Sequence, residues 1–400
     1  MPSAGRSSSR GRTTLIVMSC LGFAAAATIS GLDRIGGSTP ALAGLLPPAL
    51  AAQALRNQAM NAQSLGDNDR ALALARKAVA RTPIEPGSAA VLGAALYAKD
   101  DGPGADQAFR VAAQMGWRVP LTQFYWLDAS LAVSDYRNAA VRLDALLRQE
   151  PALLSNRRLL DPLERTPEGR AAMAERLAER PDWLQPYLSN LRDTPTDILA
   201  LRGQVLRDMA RQGTVLGCEA VSPMIEQLIA REAYGDAQAT WKAQCPGTAG
   251  TLVSDGNLAH AQLTQTSASL SWMFLGRAGL SLMLEKAKGP AQVVAAEGKL
   301  DRPRSFMRQL MLLQPGRYEV RWRATGEDGK PSSRIVAALS CNPDPRDWAT
   351  GQFDRASGTM SATVTYEGSC EAGWLGFGLV PGEGIVRLGD ISLRKAAPPP

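Results

Sequence analysis

The side chains with the most chemical character in this 400-residue chain are few: one histidine, five cysteines and eight tryptophans, set among 38 carboxylates and 44 basic groups. His260, in Asn257-Leu258-Ala259-His260, is the single candidate for the base of a Ser–His or Cys–His pair, and one histidine cannot build a histidine-rich metal site. The carboxylates are scattered along charged segments, and no two stand out as the acid and partner that glycoside cleavage requires. Gly250, Gly256 and Gly276 are isolated, so no glycine-rich loop leads into a helix to cradle phosphate. These patterns point away from catalysis, and neither a metal nor a cofactor is expected.

Outside the N-terminal segment, which holds Cys20, the cysteines are Cys218, Cys245, Cys341 and Cys370. None lie two to four residues apart, the spacing of zinc-ligand pairs. Pairing by neighbourhood gives Cys218–Cys245 and Cys341–Cys370, closing loops of 27 and 29 residues (245 − 218 and 370 − 341). In an oxidising compartment each bridge would contribute about 3–4 kcal/mol.

The N-terminus predicts such a compartment. A basic tail (1–12) with Arg6, Arg10 and Arg12 precedes an uncharged run over 13–32, which directs the remainder outward and leaves the N-terminus cytoplasmic. The run is long enough for an uncleaved transmembrane anchor. It also fits a signal peptide with its core at Leu15 to Phe23 and small residues at Ala24-Ala25-Ala26. Val17-Met18-Ser19 before Cys20 is a poor lipidation site. A Gly/Pro/Ser-rich tether over 33–46 would then lead to the exported part. High alanine, arginine and glycine content suggests a GC-rich bacterium, hence the periplasm, with anchoring in the inner membrane. The formal charge of +6 is modest, and no aromatic–basic interleaving marks a nucleic-acid surface.

The elements that must position any site fall into two groups. From 52 to 153 one pattern returns every 34 residues: Ala71, Ala105 and Ala139, then Ala75, Phe109 and Leu143, then Ala78, Ala112 and Leu146. Units 52–85, 86–119 and 120–153 close at Pro83, Trp117 and Pro151. Each reads as two amphipathic helices broken at Gly66-Asp67-Asn68, Asp101-Gly102-Pro103-Gly104 or Ser134-Asp135. This resembles the tetratricopeptide repeat, in which one hairpin cannot bury its apolar face alone and neighbours must stack. Helical periodicity continues in weaker register, through Thr166-Pro167-Glu168-Gly169 and Ser222-Pro223 to Gln244, so that 47–247 reads as a single α-solenoid.

Past Pro246-Gly247-Thr248 the pattern shifts to short alternating runs. Tyr318, Val320 and Trp322 share one face of a strand whose other face is charged. Other candidate strands are 280–284, 304–313, 334–341, 358–366, 372–379 and 384–394, about eight strands in all, predicting a β-sandwich over 248–396. Asp255-Gly256-Asn257-Leu258, Leu313-Gln314-Pro315-Gly316-Arg317-Tyr318 and Leu388-Gly389-Asp390-Ile391-Ser392-Leu393 make this half similar to the galactose-binding-like jelly rolls that include many carbohydrate-binding modules. The fold class is thus multidomain: a membrane or signal segment, a tetratricopeptide-like solenoid and a jelly roll.

Carried over by register, the repeat resemblance implies a partner groove lined by Gln53, Arg56, Met60 and Gln63, then Ala90, Ala94 and Tyr97, then Leu121, Phe124, Asp128 and Leu131. Such a stripe suits a peptide or helix from a protein partner. In the jelly roll, Tyr318 and Trp322 belong to the core, while Trp272, Trp348 and Trp374 lie beside turns and are candidates for stacking on a sugar ring. The combination implies a periplasmic scaffold accessory to envelope polysaccharide synthesis or export. A carbohydrate-binding protein and a glycan-processing enzyme are the second and third readings.

Overall fold

The computed structural model describes residues 8–36, 52–245, 252–263, 269–276, 279–289 and 291–396. The tether beyond Gly36, the expected start of the solenoid at 47 and the junction at 246–248 lie outside them. The chain divides into two compact units, Met1–Glu150 and Pro151–Pro400, so the division falls after the third repeat.

Helix α1 (Ser8–Gly36) is continuous through Asp33, Arg34, Ile35 and Gly36, which the sequence assigned to the tether. Leu15, Ile16, Val17, Met18, Leu21 and Phe23 are exposed along it. Among the described residues, however, no helix is long and apolar enough to cross a membrane, so the transmembrane helix expected over 13–32 is not found there.

The repeats form three helical hairpins: α2 (Ala52–Ser64) with α3 (Asn68–Arg81), α4 (Pro86–Tyr97) with α5 (Gly102–Met115), and α6 (Pro120–Ala132) with α7 (Tyr136–Leu147). Each turn is built the same way. Gly66, Asp100 and Ser134 take positive φ of 78°, 60° and 58°. The next residue's N–H then reaches back five residues, closing the first helix: Asp67 to the Ala62 carbonyl, Asp101 to Leu96, Asp135 to Ser130. That same aspartate caps the second helix, accepting from the N–H of Arg70, Gly104 or Asn138 at 3.0–3.1 Å. Residues 67, 101 and 135 keep the 34-residue period. All nine of the small and bulky repeat positions are buried, Ala71 through Leu146. Gly93 allows α4 to close on α5, since a Cβ there would lie 2.8 Å from the Phe109 ring.

The second unit opens with a 3-10 turn (Pro151–Ser155) and six helices: α8 (Arg157–Glu164), α9 (Pro167–Ala178), α10 (Leu184–Ser189), α11 (Thr196–Arg211), α12 (Cys218–Ala230) and α13 (Tyr234–Gln244). Helix α12 starts at Cys218, ahead of the Ser222-Pro223 start read from the sequence, with Pro223 inside it. Glu164, fully buried, is held by Arg202 at 2.9 Å and by Arg157 at 2.7 Å. The Arg202 guanidinium lies 4.4 Å from the centre of the buried Tyr187 ring.

The β-sandwich packs a five-stranded sheet, order β1-β4-β10-β6-β7, on a six-stranded one, order β2-β3-β11-β5-β9-β8, all antiparallel. Its strands are β1 (Met273–Phe274), β2 (Leu280–Lys286), β3 (Gln292–Gly298), β4 (Arg304–Met311), β5 (Gly316–Thr325), β6 (Ile335–Ser340), β7 (Ala349–Thr350), β8 (Gln352–Asp354), β9 (Thr359–Tyr366), β10 (Gly373–Leu379) and β11 (Val386–Lys395). Trp272, Phe306, Tyr318, Val320, Trp322 and Phe377 fill the space between the sheets. Cys341 and Cys370 form a disulfide. Cys218 and Cys245 do not: their thiols are hydrogen-bonded neighbours. The predicted bridge there is replaced by a dithiol.

Candidate functional site

Of the predicted groove stripe, Met60, Tyr97 and Asp128 present exposed side chains. The others are turned into packing. Ala90 and Ala94 are buried with Ala105 and Phe109 between α4 and α5. Leu121 packs against both alanine clusters. Arg56 is paired with Glu85 at 2.9 Å and bonds Gln53. Gln63 donates to the Ala94 carbonyl at 3.3 Å. Phe124 is half-buried and is not the aromatic that meets Tyr97.

That aromatic is Tyr125. Its ring meets Tyr97 edge-on, centroids 6.3 Å apart, and stacks on Phe109 at 4.1 Å and 15°. Trp126 adds an edge contact at 5.3 Å. Burial raises the Tyr125 phenol above its ordinary range, with the Asp106 carboxylate beside it adding to the effect. Asp106 in turn binds Arg110 at 2.6 Å, and the Arg110 guanidinium sits 5.9 Å from the Trp126 ring. A rigid aromatic cluster where α4, α5 and α6 meet thus carries Tyr97 outward, 65% exposed, beside an acid and a base. This arrangement leaves Tyr97 as an ordered, exposed apolar surface on a cluster that also carries the Asp106–Arg110 pair.

A second exposed aromatic, Trp117, ends the second repeat with the Arg142 guanidinium 4.3 Å above its ring. Gln123 bonds both the Trp117 carbonyl and Arg142. The signal for it was available: Trp117 stands where the other two repeats carry proline.

In the sandwich, the three candidate sugar-stacking tryptophans separate. Trp272 is fully buried, bonded through Nε1 to the Asp255 carbonyl at 3.0 Å and packed on Phe377. No sugar can reach it, which corrects that assignment. Trp348 and Trp374 come together on the outward side of β10. Trp348 lies flat over Gly376 and Gly378; a Cβ at Gly378 would come within 2.9 Å of its ring. Trp374, two residues before Gly376, projects from the same face. Arg308 stands 4.9 Å from the Trp374 ring centre, held by the Pro343 carbonyl at 3.0 Å and by Asp344 at 3.7 Å. Ring, guanidinium and carboxylate side by side are the groups that hold a sugar's C–H face and hydroxyls. The single histidine, His260, is exposed and its backbone N–H bonds Asp255.

No protein-family model and no curated protein matches this chain. Among solved structures it is similar to pilF of Pseudomonas aeruginosa at 16% identity, over 49% of this chain and 92% of that one, with a TM-score of 0.28. It is also similar to a CBM4 structure (13% identity, 36% of this chain and 99% of that one, TM-score 0.25). The CBM22-1 xylan-binding domain from Paenibacillus barcinonensis matches at 13% identity, over 32% of this chain and 87% of that one, with a TM-score of 0.22. The fold is read from the chain's own elements, three helical hairpins in a 34-residue period and an antiparallel β-sandwich. Such distant likenesses concern the fold; what either region binds is decided by its own side chains.

Proposed function

We propose that this chain is a non-enzymatic scaffold of the bacterial periplasm, whose repeat hairpins hold a peptide or helix of a protein partner and whose role is accessory to envelope polysaccharide synthesis or export. The observation that carries the reading is Tyr97, a large aromatic left 65% exposed yet braced by Tyr125 on a stack of close-packed hairpins. An exposed anchor that is already ordered loses little entropy on binding. Export is supported by the arginine-led apolar N-terminal run and by the Cys341–Cys370 bridge.

The test is retention of a partner from an envelope extract, identified by mass spectrometry and then titrated as purified protein. Tyr97→Ala is expected to weaken that complex about thirtyfold, the effect of removing a central aromatic anchor, with an unchanged melting temperature. A complex that tolerates Tyr97→Ala would refute the groove. The second reading, sugar binding by the sandwich, is favoured by the Trp348, Trp374 and Arg308 cluster. In that case Trp374→Ala abolishes retardation in gels containing the envelope polysaccharide, and Tyr97→Ala changes nothing.

A further inference from the structure

The predicted pair of bridges has become one bridge and one dithiol, and the surroundings of the dithiol are unlike those of a buried structural pair. Cys218 is the first residue of α12, behind Gly217 with φ 93°. Cys245 directly follows α13 and is 2% exposed. Gln244 locks the two ends together: its side chain accepts from the Leu216 N–H at 2.7 Å and donates to the Leu206 carbonyl at 2.6 Å. The thiols therefore face each other across a fixed frame.

Their environments differ. The hydrogen bond to Cys218 and burial together push the Cys245 thiol far up, so Cys245 holds its proton. Cys218 is partly exposed at the positive end of a thirteen-residue helix, the setting in which a thiol becomes nucleophilic. Glu219, next in the helix, opposes that field, and His260 stands across the cleft. Both cysteines line an open cleft of about 550 Å³, whose other walls include Val215, Glu219, His260 and Gln292. Gln292 fixes the far wall by donating to the Leu258 and Ala259 carbonyls at 3.0 and 3.3 Å. Among the described residues no three of His, Cys, Asp and Glu come together to hold a metal ion, so the pair reads as a dithiol and not as half of a metal centre.

We propose that Cys218 and Cys245 form a thiol–disulfide exchange site, with Cys218 as the attacking sulfur, Cys245 as the resolving one, and an organic disulfide as the substrate. The Cys218 thiolate attacks one sulfur of R–S–S–R′; that S–S bond breaks and R′–S⁻ leaves to take up a proton. A Cys218–S–S–R mixed disulfide results. Cys245 then releases its proton and attacks the Cys218 sulfur, and R–S⁻ departs. Two cysteine thiols are oxidised to one disulfide, and the substrate disulfide is reduced to two thiols.

The full chain is reduced with dithiothreitol without denaturant, freed of reductant and exposed to oxidised glutathione, with peptide mapping by mass spectrometry. Wild type is expected to end with a Cys218–Cys245 bridge and no bound glutathione. Cys245→Ser should trap one glutathione on Cys218, and Cys218→Ser should react at Cys245 at least tenfold more slowly. Brief iodoacetamide labelling of reduced wild type, which needs no variant to fold, should modify Cys218 at least tenfold faster than Cys245. Equal labelling, glutathione captured equally well by Cys245 alone, or a bridge that resists dithiothreitol in the folded chain would each overturn the proposal. The last would make the pair a structural crosslink like Cys341–Cys370.

Discussion

Between α2 and α7 the helices meet at Ala71, Ala75, Ala78, Ala105, Ala112 and Ala139, none with measurable exposed surface. Between α8 and α11 they meet instead through Glu164, Arg157 and Arg202, beside Tyr187. Small side chains let helices approach anywhere along a shared stripe, so the same contact can be used three times. A buried carboxylate needs particular cations at particular places, and that arrangement occurs once. The first region is built to be extended by stacking; the second is built to adopt one arrangement and no other.

Removing the central charge is the most severe way to test this contrast. Glu164→Gln keeps the side-chain volume but leaves Arg202, 2% exposed, without its counter-charge. The expected cost is about 3–5 kcal/mol of unfolding free energy by denaturant titration. Replacing the pair together, Glu164→Leu with Arg202→Met, should recover most of that loss, because no charge then stays buried alone. If Glu164→Gln costs under about 1 kcal/mol, the network is decoration on an apolar interface and the contrast collapses.

The corresponding change in the repeats is steric. Gly93→Ala places a Cβ 2.8 Å from the Phe109 ring, and Phe109 also supports Tyr125 and through it Tyr97. A loss of about 1–3 kcal/mol is expected from overpacking, with a weaker partner complex as Tyr97 loses its brace. Gly66→Ala makes a useful control: nothing lies within 4 Å of the added carbon there, and its cost comes from the positive φ alone. Equal losses at the two sites would mean that α4–α5 contact is looser than alanine packing implies.

The sequence was most legible where physics repeats. Ala71, Ala105 and Ala139 announce themselves by spacing, and the capping aspartates at 67, 101 and 135 carry the same period inside turns already recognised from their breakers. Tyr318 and Trp322 were legible because a strand alternates. The failures share a cause: nothing local distinguished the residues. Glu164 and Arg202 are 38 residues apart, and either would read as a solvated surface charge. The sequence singled out Phe124, whereas the ring that meets Tyr97 belongs to its neighbour Tyr125, because a single step along a helix turns a side chain by about 100°. Strand β3 escaped because Val293-Val294-Ala295-Ala296 does not alternate. Trp272 sits among turn residues, yet its indole points inward to the Asp255 carbonyl, and turn composition reports on backbone, not on side-chain direction.

Asp255 supplies the finest test, because it is the sandwich's counterpart to Glu164 without the arginines. It is 6% exposed; one carboxylate oxygen accepts the His260 N–H at 3.0 Å, and the other is buried with no hydrogen-bond partner. Burial raises its pKa above the ordinary carboxylate value, against the opposing pull of the His260 and Ala259 N–H groups. The folded state therefore holds the proton more tightly than the unfolded one. Stability from this group is fully present below the unfolded pKa, about 3.9, and is lost as pH rises through the raised folded value. At neutral pH the carboxylate is thus a liability. Asp255→Asn keeps the acceptor for His260, removes the charge and suits the positive φ of 53° at this position. The variant should be more stable than wild type at pH 7.5, by about 1 kcal/mol, and the two unfolding curves should converge as pH falls to the unfolded pKa, about 3.9. A difference that stays constant with pH, or a loss at pH 7.5, would show that the carboxylate is satisfied as an anion and that buried charge in the sandwich follows the same rule as Glu164.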